Sequence, residues 1–439
     1  MVCFVTATLL LVYSLPNVIG LRNMLTFAGF VLVAPLLFPL LKESSPDARR
    51  AVAMFGVVIL WTLVVALFIA DDPAASLAEW RGEWLPVILA FLFGFTAFDC
   101  VRAEPCDESG RRMWFAVVLP LCALMAAHIL LVLVEFARAG AISPHFSGLS
   151  DHKANITYAA STLLPVVFGF ALVQANRVLP FGRRFSALIV VAGLLGTAAA
   201  VTSGARNGVI VVALGIGGAG LAFLAITARR HYSVRVRAAF GIVLGLVVAG
   251  VLWGGVHWDP RWQAFVRTVP VALDTEQHQQ WLDPPGSALP LSADGKSVEE
   301  SAYQRIAWAK VGLAMLLEHP LGLEISRHTF RDLVIERYGR GAMSHAHSSV
   351  IDFGLNVGLP GLAIWFGFVA TLIVAGWKAT RGAADVAGWA LIFLVLMYVV
   401  RSLVDSIMRD HILEQFILMS GVLLGASARN EKANRAGAR

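Results

Sequence analysis

Twelve stretches of this chain are each long and apolar enough to be a membrane-crossing helix, and no other property limits the fold as tightly. Crossing the hydrocarbon core takes roughly 17 to 25 mostly apolar residues in an α-helix. In lipid the backbone must satisfy its own N–H and C=O groups, which leaves only helices and closed barrels as spanning elements. The runs fall at residues 3–20, 24–41, 51–70, 84–99, 113–135, 156–175, 186–203, 208–226, 238–254, 349–377, 387–404 and 411–427. The expected fold class is therefore all-α: a polytopic transmembrane helical bundle of about twelve spans. Hydrophobic residues make up 58% of the chain and charged residues 15%, outside the range of soluble domains. The bilayer is thus the first partner. A net charge of +6 reads as basic cytoplasmic loops, and no nucleic-acid partner is expected.

Orientation follows from where Lys and Arg collect. Lys42, Arg49, Arg50, Arg102, Arg111, Arg112, Arg183, Arg184, Arg229, Arg230, Lys378 and Arg381 fall in alternate loops, and Arg429, Lys432, Arg435 and Arg439 in a basic tail. The intervening short loops hold far fewer cations, so both termini are expected inside the cell. The first run lacks a basic start and a small-residue cleavage site, which predicts a retained helix rather than a signal peptide. The cysteines Cys3, Cys100, Cys106 and Cys122 have neither zinc-type spacing nor a disulfide framework.

One segment breaks the rhythm. Residues 255–346 are too polar to cross and, by this topology, form a large extracytoplasmic loop domain. The chain thus divides into spans one to nine (1–254), the loop domain (255–346), spans ten to twelve (347–428) and a basic cytoplasmic tail (429–439). Within the loop, Tyr303 to Glu318 has helical periodicity and Pro320 stops it. This helix either lies along the membrane surface or packs on the bundle.

The sharpest local pattern begins at His345-Ala-His347-Ser348-Ser349 and continues through Ile351, Asp352, Gly354, Asn356, Gly358 and Gly361. On an ideal helix, Ile351, Gly354, Gly358 and Gly361 fall within about 40° of one line under His347. Glycines on one stripe let a neighbouring helix approach closely. That places His347 at the outer mouth of a tightly packed pair, where a neutral imidazole can take a proton; His345 fits an interfacial histidine without a chemical role as well as it fits the site. Arg206 sits in the tight hairpin Thr202-Ser203-Gly204-Ala205-Arg206-Asn207-Gly208, at or inside the outer membrane boundary. A charge there is costly, and is paired, functional or snorkelling to headgroups. Arg305 shares a face of the loop helix with Trp308, Ala309 and Gly312. Topology brings Arg206, Arg305 and His347 to one side of the membrane. Guanidinium groups pair phosphate oxygens in bidentate fashion without a metal. Such a set suits transfer from a diphosphate-activated donor to a hydroxyl.

His347-Ser348 with Ile351, Asn356, Gly358 and Gly361, preceded by Arg305-x-x-Trp308, His319-Pro320-Leu321-Gly322 and Thr202-Ser203 leading to Arg206, resembles the O-antigen ligase and polymerase superfamily of bacterial inner membranes. The resemblance covers most of the chain and includes the large loop before the tenth span. It departs where the family often has Asn after the histidine and Glu nine residues beyond it; here stand Ser348 and Asn356. What the resemblance implies is transfer of O-antigen polysaccharide from undecaprenyl diphosphate to a sugar hydroxyl of lipid A-core, at the periplasmic face of a Gram-negative inner membrane. His347 would be the general base, and Arg206 and Arg305 would hold the donor diphosphate. Direct attack would invert the anomeric centre, and no cofactor is implied.

Other candidates lie on the same face. Lys153, in Asp151-His152-Lys153-Ala154-Asn155, is either a third cation at the diphosphate or part of a helix start, with His152 and Asn155 as its neighbours. Arg401 and Asp405, four apart, read as a structural ion pair ahead of a role in the site. Trp253, Trp258, Trp262 and Trp281 fit an interfacial belt better than sugar stacking. Asp71-Asp72 before Pro73 reads as a helix cap rather than a metal ligand pair, so no metal is expected. Two nearby activities use the same donor, O-antigen polymerisation and O-glycosylation of protein. A twelve-helix transporter is the reading from a different class; it would show related halves and a mid-membrane site, and neither is evident in the sequence.

Overall fold

A computed structural model describes residues 1–97, 112–140, 148–150, 153–175, 182–228, 260–381 and 385–437, with isolated positions between 233 and 245. Helices dominate, with no β-strand among the described residues and one isolated bridge between Leu291 and Ser297. In chain order they are α1 (Val2–Val12), α2 (Ile19–Val33), α3 (Leu37–Glu43), α4 (Pro46–Val64), α5 (Pro73–Ala97), α6 (Leu119–Ala139), α7 (Lys153–Ala175), α8 (Arg183–Thr202) and α9 (Arg206–Ala228). The polar segment contributes α10 (Pro260–Leu273), α11 (Glu300–Glu318) and α12 (Thr329–Tyr338), followed by α13 (Ser349–Thr380), α14 (Val386–Ser402) and α15 (Asp410–Gly437).

Seven helical runs among the described residues are long and apolar enough to cross a membrane: Ile19–Glu43, Pro46–Ile69, Trp114–Ala139, Ala154–Ala175, Arg183–Thr202, Arg206–Ile226 and Ser349–Thr380. α1 and α14 are apolar but shorter. The expected span at 238–254 lies almost wholly outside the described residues. α5 and α15 are missing from these runs; charge sits in their N-terminal halves, Glu79, Arg81 and Glu83 in one and Asp410 and Glu414 in the other. They are nevertheless the centre of the bundle. A Cβ on Gly421 would lie 2.6 Å from the Phe91 carbonyl oxygen, and Gly94 and Gly425 meet backbone equally closely, so the two helices touch main chain to main chain. Rings of Phe55 and Phe91, 4.3 Å apart, tie α4 to this pair, and Phe368 of α13 closes on both. At one end of the bundle Asp47 accepts from Lys378 at 2.8 Å and from Arg50 at 3.1 Å.

The helix within the loop domain forms as its periodicity predicts and ends at Glu318. Glu299 caps it, its Oε2 accepting from the Ala302 N–H at 2.6 Å. It packs on the start of α13, where Gly312 faces Ile351 and Leu316 faces Gly354.

α13 corrects the expectation of one continuous glycine stripe beneath His347. The helix begins only at Ser349, and Gly358 interrupts it with φ 70° and ψ −179°. Into that break fits the turn His319-Pro320-Leu321-Gly322, with Gly322 itself at φ 84°. The freed groups find partners: Leu359 N–H donates to Pro320 O at 2.8 Å, Leu323 N–H to Leu355 O at 3.0 Å, and Trp61 Nε1–H to Val357 O at 2.8 Å. Irregular backbone at such depth survives only where protein satisfies it. The glycines do admit close neighbours, but these are Leu316 of α11 at Gly354, a loop at Gly358 and Trp61 at Gly361 rather than a single helix along the stripe.

Asp72 is a cap. Its Oδ1 accepts from Ala74 N–H and Ala75 N–H, both at 3.0 Å, as Pro73 opens α5. Trp281 is fully buried inside the loop domain, edge-on to Tyr338 at 5.2 Å, which removes it from any interfacial belt. Trp253, Trp258 and the Trp262 side chain lie outside the described residues.

Candidate active site

The turn that leads into α13 is built around Ser349, which is fully buried. Its hydroxyl donates to Asp405 O at 2.7 Å and accepts from the N–H groups of Ile407 and Met408 at 2.5 and 3.0 Å. The 405–408 turn is thereby fixed against the start of α13. Asp352 works in the same way one turn on, its Oδ1 accepting from Ala346 N–H at 2.7 Å and its Oδ2 from the Ser406 hydroxyl at 2.6 Å.

This scaffold holds the two histidines. His347 has a left-handed backbone, φ 53°, which side chains other than Gly, Asn and Asp rarely adopt. Its N–H donates to His345 Nδ1 at 3.2 Å, so in neutral His345 the ring hydrogen sits on Nε2. Ser406 Oγ lies 3.0 Å from the same Nδ1. The two imidazoles meet edge to face with centroids 4.2 Å apart, and the other side of His347 stacks on Trp308 of α11 at 5.3 Å and 10°. Trp308 is itself fixed by donating from Nε1 to Trp281 O at 3.1 Å. His347 Nδ1 is buried and has no hydrogen-bond partner.

The electrostatics disfavour a proton on either ring. Burial, with the Arg305 and Arg409 charges, pushes His347 down to about 4. Burial, then His347 and Arg409, push His345 down to about 3, against an opposing pull from Asp405. Both are neutral imidazoles at neutral pH.

The remaining candidates arrange themselves along α11. Arg206 donates from Nη2 to Glu299 Oε1 at 2.7 Å, and Glu299 is the residue that caps α11. Arg305 stands one turn before Trp308 and makes no ion pair among the described residues. From the Arg206 contact at Glu299 to the His347 contact at Trp308 is nine residues, roughly 14 Å along the helix axis. Arg401 and Asp405 form the structural pair that their spacing suggests. Arg401 is 2% exposed, bonded from Nη2 to Thr157 at 2.5 Å, stacked over Tyr158 at 3.7 Å and 3.4 Å from Asp405. Asn155 lies in the first turn of α7, partly buried; His152 and the Lys153 side chain are outside the described residues. Asn356, one of the departures from the family pattern, accepts from Thr329 at 2.8 Å and donates to Ser326 O at 2.9 Å, pinning the 323–329 loop to α13.

The sequence did not single out Ser406, Asp352, Arg409 and Glu299. Asp352 stood inside the quoted pattern, seven residues after His345, and Ser406 stood next to Asp405; a reading for hydrogen-bond partners, rather than for glycine spacing alone, would have marked both. No group of three His, Cys, Asp or Glu side chains is placed to hold a metal ion among the described residues.

Comparison with known proteins bears on this geometry. Residues 189–366 match the family model for O-antigen ligase. The match runs from α8 through the loop domain into α13, and takes in Arg206, Arg305 and His347. Over that stretch the chain is similar to O-antigen ligases, and the seven long apolar helices among its described residues fit a membrane protein. No curated protein matches the chain.

Proposed function

We propose that this protein is an O-antigen ligase: a glycosyltransferase that moves O-antigen polysaccharide from undecaprenyl diphosphate to a sugar hydroxyl of lipid A-core. The chain then crosses a Gram-negative inner membrane about twelve times with both termini cytoplasmic, and 255–346 forms a periplasmic loop domain over the site. The observation that carries this reading is the neutral, partly buried His347 imidazole stacked on Trp308 with the Arg305 charge beside it, and Arg206 held at the capped end of the same helix. An anionic, sugar-bearing substrate suits that pairing of imidazole and guanidinium. Its diphosphate lies by the guanidinium groups and its first sugar by the imidazole. Arg206 gives Glu299 one Nη2 contact, and its other N–H groups remain for phosphate.

In the reaction, the acceptor oxygen forms a bond to the anomeric carbon and the bond from that carbon to the phosphate oxygen breaks. The electron pair of the broken bond leaves on undecaprenyl diphosphate, and the hydroxyl proton passes to the His347 ring. Attack from the side opposite the leaving group inverts the centre. Arg305 and Arg206 stabilise the charge that grows on the diphosphate, the work a divalent ion does in other transferases, so the reaction proceeds without a metal.

Ligation by the purified full chain, assayed with a chelator present, tests the reading. His347→Ala should lower turnover by about 10² to 10⁴ while the protein stays folded, and Arg305→Ala should raise the donor KM. Near-normal turnover in folded His347→Ala overturns the general-base assignment.

A further inference from the structure

Next to the Ser406 contact of His345, a half-open cleft lies between α5, the start of α13, the 325–327 loop and the 406–409 turn. Its floor includes Asp352 and Ser406; the Ser406 hydroxyl lies 3.0 Å from His345 Nδ1, and His345 in turn meets His347 edge to face, so one imidazole stands between the cleft and the candidate base. Two groups in it are not used by the fold. Glu83 is 9% exposed and its carboxyl makes no hydrogen bond among the described residues. Arg409 meets Asp410 with Nε at 3.4 Å, and its Nη groups donate no hydrogen bond among the described residues. One wall is apolar and aromatic, Trp84 and Phe353 with centroids 6.0 Å apart. The opposite wall is the loop that Asn356 pins.

We propose that this cleft is the subsite for the acceptor saccharide, placed beside the histidine pair. The chemistry of the lining fits a neutral sugar ring. A ring presents hydroxyl edges that need donors and acceptors side by side, as Arg409 and Glu83 supply, and C–H faces that pack on aromatic surface. Burial pushes the Glu83 carboxyl up to about 8, so at neutral pH it is mostly protonated and offers a sugar hydroxyl both an O–H donor and a carbonyl acceptor. Arg327 is further engaged by Asp410 at 2.8 Å and Glu79 at 3.5 Å. The unpaired Arg305 lies instead on the α11 side, which separates a place for diphosphate from a place for sugar. This subsite rests on the transferase reading above.

Ligand-observed NMR on the full chain in nanodiscs tests it, with core oligosaccharide freed of lipid A as the probe and no donor present. The oligosaccharide should bind the wild-type protein. Glu83→Ala, which empties the polar centre, and Ser326→Trp, which fills the mouth from a partly exposed loop, should each weaken binding about tenfold. In ligation assays the same variants should raise the acceptor KM by about tenfold and leave the donor KM unchanged. Binding without any transfer leaves the subsite standing and removes the ligase reading. Transfer with an unchanged acceptor KM in folded Ser326→Trp removes the subsite and leaves the ligase reading. Displacement of the oligosaccharide by inorganic pyrophosphate also overturns the subsite, since the cleft would then be an anion site.

Discussion

The two halves of α13, above and below Gly358, are one helix by chain order and two materials by physics. From Ser349 to Val357 the helix is held by directional bonds: the Ser349 hub, the Asp352 clamp on Ala346 and Ser406, and the Asn356 pins on Ser326 and Thr329. From Leu359 to Thr380 it is held by shape, through Trp365, Phe368, Leu372 and the rings of Phe55 and Phe91. Hydrogen bonds fix orientation to fractions of an ångström, whereas apolar packing is non-directional and tolerant. The half that must aim side chains is built from the first; the half that must remain in lipid is built from the second. The full helix of 32 residues would extend roughly 48 Å, well beyond a hydrocarbon core of about 30 Å, so a division of labour along its length is to be expected.

Substituting the hinge should erase the difference. A Cβ at Gly358 would lie 2.5 Å from the Gly322 nitrogen, on a backbone at φ 70°, so Gly358→Ala combines a main-chain clash with a strained conformation. We expect a loss of up to ~6 kcal/mol in denaturation midpoint terms, with proteolysis of the 319–327 turn as the earliest local sign; an unchanged midpoint would mean that the two halves are not separate. In the lower half, Leu372→Ala should cost ~2–5 kcal/mol of stability, with turnover per folded molecule unchanged in a ligation assay. In the upper half, Ser349→Ala takes the hydroxyl acceptor from the Met408 N–H and leaves the Ile407 N–H with Asp405 O alone; it should cost less stability, ~1–3 kcal/mol, yet remove most of the activity. Equal stability and activity losses in these two variants would break the comparison.

The smallest effect is one of pH. His347 is held down to about 4 by burial, Arg305 and Arg409, against an ordinary value of 6.5. The unfolded chain therefore binds more protons than the folded one between about 4 and 6.5, and this group's contribution to stability is complete above 6.5 and lost as pH falls towards 4. The acid limb of kcat/KM should lie near 4 rather than near 6.5. Arg409→Gln removes one of the cations and should move that limb upward; a limb that stays put would show that Arg409 does not act on the base.

The membrane half was the legible half. Apolar runs report burial in lipid directly, and seven long apolar helices among the described residues follow them, whereas the first helix, expected over 3–20, runs only from Val2 to Val12. The runs at α5 and α15 read weakly because Glu83 and Glu414 sit in their N-terminal halves, where Glu414 pairs with Arg22 at 2.9 Å and Glu83 faces the cleft. The upper half was legible in composition but not in arrangement. His345, His347, Arg206, Arg305 and Trp308 were visible as types of side chain at one rim. The break at Gly358 was not, because its cause lies 36 residues earlier in the Leu321-Gly322 turn. Nor was the capture of Arg206 by Glu299, a contact between residues 93 apart in sequence. Periodicity describes how a helix would run if nothing interrupted it, and here a distant loop does.

The left-handed backbone of His347 has one further consequence. Position 347 must satisfy a stereochemical demand, which asparagine meets comfortably and alanine does not, and, in the proposed reaction, a chemical demand that imidazole meets and an amide does not. An asparagine there would keep the chain's path while deleting basicity, whereas alanine disturbs both at once. The gap in turnover between those two replacements measures how much of the histidine's value is posture and how much is proton affinity.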